Sequence, residues 1–546
     1  MKLPLNWNLR NPLWLITLAS AWMATAANGA LWRELGTLAL LDSPAGWAFG
    51  AALSLIIALA LMALLCLVAW RWTLKPALTF LLLAAAFGAH FMLSYRVVID
   101  ATMMVNVLQT NPAEAADLLS LRLGALVLVL GVLPVVVVWR TPLDYGRWPR
   151  RLLHNLLGLL GASALLVAVL LASFQPLSST MRNHKQVRYL MNPLNSVYAL
   201  GYLAAQPLRR DESILEAIGQ DARLAPAPAG ARPPLLVLVL GETGRSGNFS
   251  LNGYARPTNT ELAREDVASW RNAWSCGTST AASVPCMFSH LGRSDFESRP
   301  HNYEGLLDVL QRAGLAVLWL DNQSGCKGTC ERVPHADTSH IKNPALCTTG
   351  ECLDGIMLEG LDERLAALPA ERRARGVVLV LHQMGSHGPA YWQRSPEAYK
   401  RFLPECRTVD LQRCSREQVV NAYDNSIAYT DHFLASTIGW LKGRSSSYDA
   451  AMVYVADHGE SLGENNLYLH GLPYAIAPDV QKHVPWITWL STGFARRSGL
   501  STECLRKEGD AQVSHDNYFH SVLGLMGVQT QVYQRALDPY ARCATP

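Results

Sequence analysis

The chain has 546 residues, of which half are hydrophobic and only 16% are charged. Because a soluble domain usually has about 25% charged residues, this composition excludes a disordered chain and a highly charged nucleic-acid-binding protein. The net charge of +4 is too small to indicate a polyanionic partner. We therefore expect a membrane portion joined to an ordinary globular portion.

Five uncharged runs near the N-terminus predict transmembrane helices. Each has close to the roughly 20 residues that an apolar helix needs to cross a bilayer, and Trp or Tyr lies at several of their ends, as at a membrane interface. The presence of five such runs argues against the alternative that they are buried core helices of a globular domain. A cleavable signal peptide would explain only the first run. The five runs are residues 11–32, 47–70, 76–95, 123–139 and 152–174.

The distribution of Lys and Arg predicts the orientation of these spans. With the N-terminus inside, the outer loops contain only Arg33, Arg96 and Arg122. The inner segments contain Lys2, Arg10, Arg71, Lys75, Arg140, Arg147, Arg150 and Arg151. Because cytoplasmic loops carry an excess of Lys and Arg, we expect the N-terminus inside and the chain after residue 175 outside.

The outer loop between the third and fourth runs, residues 97–121, has apolar residues at helical spacing. Its polar residues Asn106, Thr110 and Glu114 are four apart and therefore share one helical face. This face is either simply solvated or a polar patch that meets a lipid headgroup at the membrane surface. The residues alone leave both readings open.

Residues 176–232 lead from the membrane portion to a compact domain. The segments RNHKQVRYL (182–190) and DESILEAIGQ (211–220) predict short helices, and DARLAPAPAGARPP (221–234) is typical of a linker with little capacity to pack. The predicted organisation is a transmembrane domain at 1–175, bridging helices and linker at 176–232, and a catalytic domain at 233–546.

Ten of the eleven cysteines follow residue 275, and Cys66 lies in a predicted span. An even number on the outward side indicates five disulfides in an oxidising compartment. The local choice of pairs is 276–286, 326–330, 347–352 and 406–414, which leaves 504–543. A zinc site is the alternative, but CKGTC and CTTGEC lack the usual two-residue spacing. The ten are Cys276, Cys286, Cys326, Cys330, Cys347, Cys352, Cys406, Cys414, Cys504 and Cys543.

From residue 233, short continuous apolar runs alternate with helical stretches, which is typical of a mostly parallel sheet covered by helices. Ligand sites in such sheets lie at the carboxyl ends of the strands, and metal-ligand residue types follow three of the predicted strands. Carboxylate and imidazole ligands suit zinc or manganese. The candidates are Glu242, His382, His387, Asp457 and His458, with His470 shortly after.

A nucleophile is indicated within SCGTSTAASVPCMFSHL (275–291), where small residues precede an apolar helical stretch. A hydroxyl at a helix N-terminus lies where backbone N–H groups favour an incoming phosphate, and metal coordination would lower its pKa. An N-cap uses the same residue types. The residues alone do not choose among Thr278, Ser279, Thr280 and Ser283.

Several long motifs, in order, resemble the lipid A phosphoethanolamine transferases of Gram-negative inner membranes, the EptA type that includes the mobile colistin resistance enzymes. The resemblance covers nearly the whole chain, with the five-span N-terminus. The motifs are GET (241–243), SCGTSTAASVPCMFS (275–289), NQSGCKGTC (322–330), HQMGSHGP (382–389), ADHGESLGENNLYLHGLPYAIAPD (456–479) and HDNYFHSVLGLMGV (515–528).

The resemblance implies a five-helix membrane domain and an α/β/α periplasmic domain of the alkaline phosphatase and sulfatase type. It places the nucleophile on Thr280 and the zinc ligands on Glu242, Thr280, Asp457 and His458. Ser324, Lys327, His387 and His470 fall where the family contacts the phosphoethanolamine group or a second metal ion, so that Lys327, His387 and His470 also become catalytic candidates. Asn106, Thr110 and Glu114 match headgroup-binding positions. Ala456, Asn466 and the segment 244–247 depart from the usual pattern without removing a ligand.

The implied reaction is transfer of phosphoethanolamine from phosphatidylethanolamine to a lipid A phosphate, through a phosphothreonine, with one tightly bound Zn²⁺ and room for a second. The product would bind cationic peptides such as polymyxin less well. The resemblance also implies a monomer in the inner membrane, among membrane lipids and without nucleic acid. Two alternatives remain: the same transfer to a core heptose or a periplasmic glucan, and a membrane-anchored sulfatase- or phosphodiesterase-like hydrolase.

Overall fold

The computed structural model describes residues 10–110, 115–116, 118–208, 210–348 and 351–544. The chain forms two compact units, one made of Met1–Met104 with Leu119–Ala204 and the other of Val105–Leu118 with Ala205–Pro546. The first unit is helical. The second contains the β-sheets and the helices that cover them.

The start of α3 shows how one helix of the N-terminal region is capped. Ser43 caps α3 by accepting a hydrogen bond from the Gly46 N–H at 3.1 Å, and Pro44 occupies the first helical position. A π-helical turn, Leu128–Val132, joins α6 to α7. These helices are α1 Pro12–Thr25, α2 Gly29–Thr37, α3 Pro44–Leu67, α4 Leu74–Ser94, α5 Ala101–Gln109, α6 Leu121–Val127, α7 Leu133–Arg140, α8 Trp148–Ala172, α9 Phe174–Asn183, α10 Gln186–Tyr189 and α11 Leu194–Ala204.

Within the described residues, four helices are long and apolar enough to cross a membrane: α3, α4, the continuous stretch Leu121–Arg140, and α8. They coincide with the second to fifth predicted spans. The first predicted span, residues 11–32, is divided by a 3₁₀ turn at Ala26–Asn28. There the Asn28 side chain donates to the carbonyl of Met23 at 2.7 Å and interrupts the regular ladder. The count of five spans is therefore not confirmed.

One predicted bridging helix is wrong and the other is broken. Asp211–Glu216 forms strand β1, which pairs in parallel with β5, His301–Tyr303. The partner strand β5 is far away in the sequence, and pairing with it overrides the helical preference of residues 211–216. The segment 182–190 contains the end of α9 and the single turn α10, interrupted at His184.

An eight-stranded sheet forms the centre of the second unit. In spatial order its strands are β15 Val513–Ser514, β4 Val267–Trp274, β14 His483–Leu490, β11 Asp449–Ala456, β3 Pro234–Gly241, β10 Val377–His382, β6 Ala316–Asp321 and β7 His335–Asp337. The five strands from β11 to β7 are parallel, and β14 is antiparallel to both of its neighbours. The four predicted strands are β3, β6, β10 and β11, which lie side by side and are buried on both faces. Their continuous Val and Leu runs are typical of a parallel sheet covered by helices.

The remaining elements surround this sheet. The strands are β2 Arg223–Leu224, β8 Cys347–Thr348, β9 Glu351–Cys352, β12 Ser461–Glu464, β13 Leu467–Leu469 and β16 Val528–Gln529. The helices are α12 Thr280–Met287, α13 Arg293–Ser298, α14 Leu306–Arg312, α15 Leu361–Ala367, α16 Ala370–Arg373, α17 Arg416–Lys442, α18 Thr492–Ser498, α19 Thr502–Lys507 and α20 Tyr518–Leu525.

All five predicted disulfides are present in the second unit. The pairs are Cys276–Cys286, Cys326–Cys330, Cys347–Cys352, Cys406–Cys414 and Cys504–Cys543. Cys66 is free and buried in α3. The cysteines are thus committed to disulfides, and the alternative of a cysteine zinc site is wrong.

Candidate active site

The candidate site lies at the carboxyl ends of four adjacent strands. Glu242 follows β3, Gln323 follows β6, His382 ends β10 and Asp457 follows β11. The strand register holds them together, because Leu240 of β3 lies opposite both His382 of β10 and Val455 of β11. This is the sheet edge at which parallel α/β folds bind their ligands.

Four buried side chains meet at the centre of the site. The Thr280 hydroxyl donates to Oε2 of Glu242 at 2.8 Å and lies 3.5 Å from Nε2 of His458. The same Nε2 lies 3.3 Å from Oε1 of Glu242 and 3.4 Å from Oδ2 of Asp457. The structure therefore brings together Glu242, Thr280, Asp457 and His458.

The position of Thr280 follows from the start of a helix. Ser279 is the N-cap of α12 and has an extended backbone, so Thr280 is the first helical residue and is only 4% exposed. Two of the other hydroxyl candidates are engaged elsewhere: Thr278 donates to the carbonyl of Leu472 at 2.6 Å, and Ser283 accepts from the N–H of Gly277 at 2.9 Å. The third, Ser279, has a buried hydroxyl without a hydrogen-bond partner among the described residues. Of these hydroxyls, Thr280 is the one that contacts the carboxylate cluster.

The hydrogen bonds of Asp457 indicate whether the cluster suits a metal ion. Its Oδ1 accepts hydrogen bonds from the N–H groups of Thr243 at 3.1 Å and His458 at 2.7 Å. Its Oδ2 is buried and accepts no hydrogen bond from the residues that the structure describes. A buried carboxylate oxygen without a donor is costly, and two buried carboxylates with an imidazole are a donor set that a divalent cation prefers. The residues therefore fit a metal ion.

The close approach of buried charged groups also shifts the pKa values of Asp457 and His458. Burial, together with the charge of Glu242, raises the pKa of Asp457 to about 7. Burial would lower the pKa of His458, but the carboxylates of Asp457 and Glu242 raise it to about 10. Without an ion the cluster thus holds a proton between the imidazole and the carboxylates. A bound cation would allow both carboxylates to stay ionised and the imidazole to stay neutral.

His470 lies beside this cluster. Its ring centroid is 4.3 Å from that of His458 and 5.7 Å from that of His387. Ligand atoms of Glu242, His458 and His470 all lie within 4.8 Å of one another. Nδ1 of His470 is hydrogen-bonded to Oε2 of Glu460 at 3.0 Å, which orients Nε2 as the available ligand atom. The sequence reasoning missed Glu460, although it lies only two residues after His458.

Ser324 and Lys327 reach the cluster through Gln323, which the sequence reasoning also missed. The Lys327 ammonium donates to the Ser324 hydroxyl at 2.6 Å, and that hydroxyl donates to Oε1 of Gln323 at 2.8 Å. Nε2 of Gln323 then donates to Oε2 of Glu242 at 3.2 Å. A chain of hydrogen bonds therefore runs from the Lys327 ammonium to the carboxylate that accepts from Thr280.

The loop after β10 lies next to the cluster and is held in place by hydrogen bonds to a buried carboxylate. Asp354 is buried and accepts hydrogen bonds from the N–H groups of Met384 at 2.7 Å and Gly385 at 3.0 Å. His382 is not part of the described group of converging ligand atoms: its Nδ1 pairs with Oδ2 of Asp321 at 2.9 Å, and its Nε2 is buried without a hydrogen-bond partner among the described residues. Despite burial, this imidazole lowers the pKa of Asp321 to about 2.

The predicted headgroup residues are described only in part. Asn106 lies in α5, and the hydroxyl of Thr110, just after this helix, donates to the Asn106 carbonyl at 2.8 Å. Glu114 lies outside the described residues.

Comparisons with known proteins cover almost all of the chain. A sulfatase family model matches residues 234–528, and a model described as phosphoethanolamine transferase EptA/EptB matches residues 57–208. Phosphoethanolamine transferase EptA of Salmonella typhimurium is 41% identical over 86% of this chain and 85% of its own length. Phosphatidylethanolamine transferase Mcr-1 of Escherichia coli is 37% identical over 95% of both chains.

Solved structures agree with these relatives. The integral membrane lipooligosaccharide phosphoethanolamine transferase A of Neisseria meningitidis is 34% identical, with a TM-score of 0.91 over 97% of this chain and 99% of its own. The soluble domain of that enzyme is 42% identical, with a TM-score of 0.58 over 61% of this chain and 100% of its own.

Proposed function

Because the chain belongs to the EptA family and is a phosphoethanolamine transferase, we propose that it transfers phosphoethanolamine from phosphatidylethanolamine to a phosphate of lipid A. The transfer proceeds in two steps through a phosphothreonine on Thr280. The observation that carries this assignment is the contact of the Thr280 hydroxyl with Glu242 at 2.8 Å, at the start of α12 and beside His458.

Zn²⁺ is the metal that we assign to the cluster, because its donors are carboxylate oxygens, a hydroxyl and an imidazole nitrogen. Glu242, Thr280, Asp457 and His458 would hold it, and the unsatisfied Oδ2 of Asp457 supports this assignment. A zinc ion bound there would supply Lewis acidity and would lower the pKa of a bound hydroxyl. We also propose that His470 and His387, whose ring centroids are 5.7 Å apart, contact the substrate's phosphate or a second ion.

In the first step, Oγ1 of Thr280 forms a bond to the phosphorus of phosphatidylethanolamine, and the bond from phosphorus to the diacylglycerol oxygen breaks. Glu242 accepts the hydrogen bond of the Thr280 hydroxyl and is placed to take its proton. We assign to His387 the proton that the diacylglycerol oxygen receives, because His470 lies within the ligand group and His387 stands outside it. The products are diacylglycerol and phosphoethanolamine-Thr280.

In the second step, a phosphate oxygen of lipid A forms a bond to the same phosphorus, and the bond to Oγ1 of Thr280 breaks. The proton held by Glu242 returns to the Thr280 oxygen. His387 regains a proton from the acceptor's phosphate monoester or from water, which restores the enzyme. The backbone N–H groups at the start of α12 and the ammonium of Lys327 would offset the charge on the non-bridging oxygens. Ser324 orients that ammonium through the 2.6 Å hydrogen bond.

The membrane arrangement is part of the proposal. The divided run α1–α2 would form a first span before the four long apolar helices, with the N-terminus inside and the catalytic unit in the periplasm. The disulfides of the second unit support an oxidising compartment. We propose a monomer with a transmembrane domain at 1–175, a bridging region at 176–232 and a catalytic domain at 233–546. Asn106, Thr110 and Glu114 would contact a lipid headgroup.

The proposal can be tested by trapping the covalent intermediate. Purified full-length protein with bound zinc is mixed with phosphatidylethanolamine in detergent micelles without an acceptor. Mass spectrometry then measures the released diacylglycerol and the peptide that contains Thr280. We expect one equivalent of diacylglycerol and a phosphoethanolamine group on that peptide.

Two variants make this test specific. Thr280→Ala should give neither product, whereas Thr278→Ala, which removes a neighbouring buried hydroxyl, should still give both. Diacylglycerol release by zinc-loaded Thr280→Ala at the wild-type rate, or an adduct on another residue, would contradict the assigned nucleophile.

A further inference from the structure

The three arginines that the sequence places in the outer loops lie on separate elements of the helical unit. Arg33 lies in α2, Arg96 follows the end of α4, and Arg122 lies in the first turn of α6. In the proposed orientation, all three are at the ends of the spans that face the periplasm. Arginine is depleted on this side of a membrane protein, so their common location calls for an explanation.

Direct contacts place Arg33 and Arg96 at the same corner. The Arg33 guanidinium donates to the carbonyls of Leu93 at 2.8 Å and Met92 at 3.1 Å, at the C-terminal end of α4. Arg96 comes directly after that end, and its Nη1 lies 3.9 Å from Oε2 of Glu34, the residue next to Arg33. Both arginines are therefore fixed on the outer end of α4.

Arg122 lies in the first turn of α6, and α6 packs against α4. The charges of Arg96 and Arg122 both act on the Arg33 guanidinium. Arg122 is exposed, and the side chain of Arg96 is 22% exposed. A solute or a lipid headgroup at the membrane surface therefore has access to the cluster.

The local backbone shows that this arrangement has a conformational cost. Arg96 has a φ of +58°, a left-handed conformation that long side chains rarely adopt. Strained residues of this kind are concentrated at binding and catalytic sites. The 3.9 Å separation from Glu34 is at the limit of an ion pair, and Glu34 also accepts from Gln186 at 3.4 Å. A phosphate oxygen would be a stronger partner, since guanidinium-to-phosphate hydrogen bonds have lengths of about 2.7–2.9 Å.

We propose that Arg33, Arg96 and Arg122 form a docking site for the phosphate monoester of the acceptor lipid. This inference rests on the proposed function and names where that acceptor binds the membrane unit. A phosphate monoester carries close to two negative charges near neutral pH and suits several planar guanidinium groups that bind it through paired hydrogen bonds. The donor, phosphatidylethanolamine, has a phosphodiester with one negative charge beside its own ammonium group, which an arginine cluster would repel.

The test uses full-length enzyme in mixed micelles of phosphatidylethanolamine and lipid A that carries two phosphates. Transfer is measured against acceptor concentration at saturating donor, and against donor concentration at saturating acceptor. The burst of diacylglycerol without acceptor reports the first step alone. Arg96→Gln and Arg122→Gln remove one charge each, and Arg122→Lys retains the charge.

Arg140→Gln is the matched control, because Arg140 lies at the opposite end of the same span, Leu121–Arg140, and is also exposed. We expect each of the two outer substitutions to raise the KM for the acceptor about fivefold, the effect of one cation at a charged lipid surface. Arg122→Lys should recover most of this loss, and the acceptor KM of Arg140→Gln should not change. The diacylglycerol burst and the donor KM should be those of the wild type in every variant.

Three outcomes would overturn the inference. These are an unchanged acceptor KM in both outer variants, an equal rise in Arg140→Gln, and a rise in donor KM with the acceptor KM unchanged, which would assign the cluster to the donor. Failure of the proposed function is a separate result, because wild-type enzyme would then give no Thr280-dependent burst of diacylglycerol. The unfolding temperature of each variant establishes that it is folded.

Discussion

Gly385 provides a demanding test of how the loop after β10 supports the active site. Its φ is +53°, and a Cβ atom added there would lie 2.6 Å from the carbonyl oxygen of Glu242 and 3.0 Å from its amide nitrogen. Real Cβ atoms essentially never come that close to backbone atoms. Gly385→Ala should therefore displace the backbone that carries the Glu242 carboxylate.

The magnitude has three contributions, two that destabilise the folded state and one that offsets them. The left-handed conformation costs about 1–2 kcal/mol for a residue with a Cβ, and overpacking adds about 1–3 kcal/mol. Reduced freedom of the unfolded chain offsets about 0.4–1 kcal/mol. We expect Gly385→Ala to lower the free energy of unfolding by about 1–5 kcal/mol.

Gly253→Ala is the matched control. Gly253 also has a positive φ, +96°, but a Cβ added there would have no described heavy atom within 4 Å. This variant should show the conformational contribution alone. At about 2 °C per kcal/mol, its unfolding temperature should fall by only a few degrees, and that of Gly385→Ala should fall further.

The activity comparison is more specific than the stability comparison. Because a displacement of about 1 Å can reduce a rate about 100-fold, kcat of Gly385→Ala should fall more than tenfold at a temperature at which both variants are folded. Gly253→Ala should keep wild-type kcat. The assay is phosphoethanolamine transfer by purified full-length protein, with unfolding temperatures measured in the same detergent. If Gly385→Ala equals Gly253→Ala in both measurements, the supporting role of this loop is wrong.

Three further predictions concern different parts of the second unit. The pKa of Asp321 falls from 3.8 to about 2 next to His382, so this carboxylate contributes about 2 kcal/mol of stability at neutral pH. Since the folded-state pKa is the lower one, this contribution is complete above about pH 4 and is lost as the pH falls towards 2, and acid unfolding of Asp321→Asn should depend less on pH in that range. Removal of metal with a chelator should lower the unfolding temperature, and Zn²⁺ should restore it, whereas Asp457→Asn should respond much less because one buried carboxylate charge is gone. Ser415 accepts from the Gln418 N–H at 3.2 Å and caps α17, so Ser415→Ala should cost about 1 kcal/mol in chemical unfolding without changing the transfer rate, and an unchanged midpoint would contradict that role.

The sequence predicts the centre of the catalytic unit well because its strands are marked by continuous apolar runs. Runs rich in Val and Leu coincide with strands β3, β6, β10 and β11. The polar residues that follow these strands meet at one edge of the sheet. The local pairing of cysteines is also confirmed, since close spacing leaves few alternatives. The family resemblance is confirmed by relatives that cover most of the chain.

The parts that the sequence did not predict depend on partners far away in the chain. β1 has a helical composition but pairs with β5, about 90 residues later, and no local pattern encodes that partner. The first apolar run is divided because the Asn28 side chain takes a backbone acceptor. No local pattern marks Gln323, whose place in the site follows from the hydrogen bond that its amide donates to Glu242.

The choice of Thr280 illustrates the limit of local reasoning. Composition alone left four hydroxyls open, and the resemblance selected one of them. The structure adds a physical reason, because Thr280 contacts Glu242 whereas Thr278 and Ser283 bond to the backbone. Glu460 and His470 form a second pair that no local spacing marks as a unit.

The most direct test of the central claim is mass spectrometry of lipid A from a Gram-negative host that lacks its own transferase and expresses this chain. Cells with the wild-type protein should contain lipid A that carries added phosphoethanolamine, as should cells with Thr278→Ala. Cells with Thr280→Ala, at equal protein level in the membrane, should contain none. Unmodified lipid A in cells with membrane-inserted, zinc-loaded wild-type protein would contradict lipid A as the acceptor, and modified lipid A in cells with Thr280→Ala would contradict the proposed mechanism.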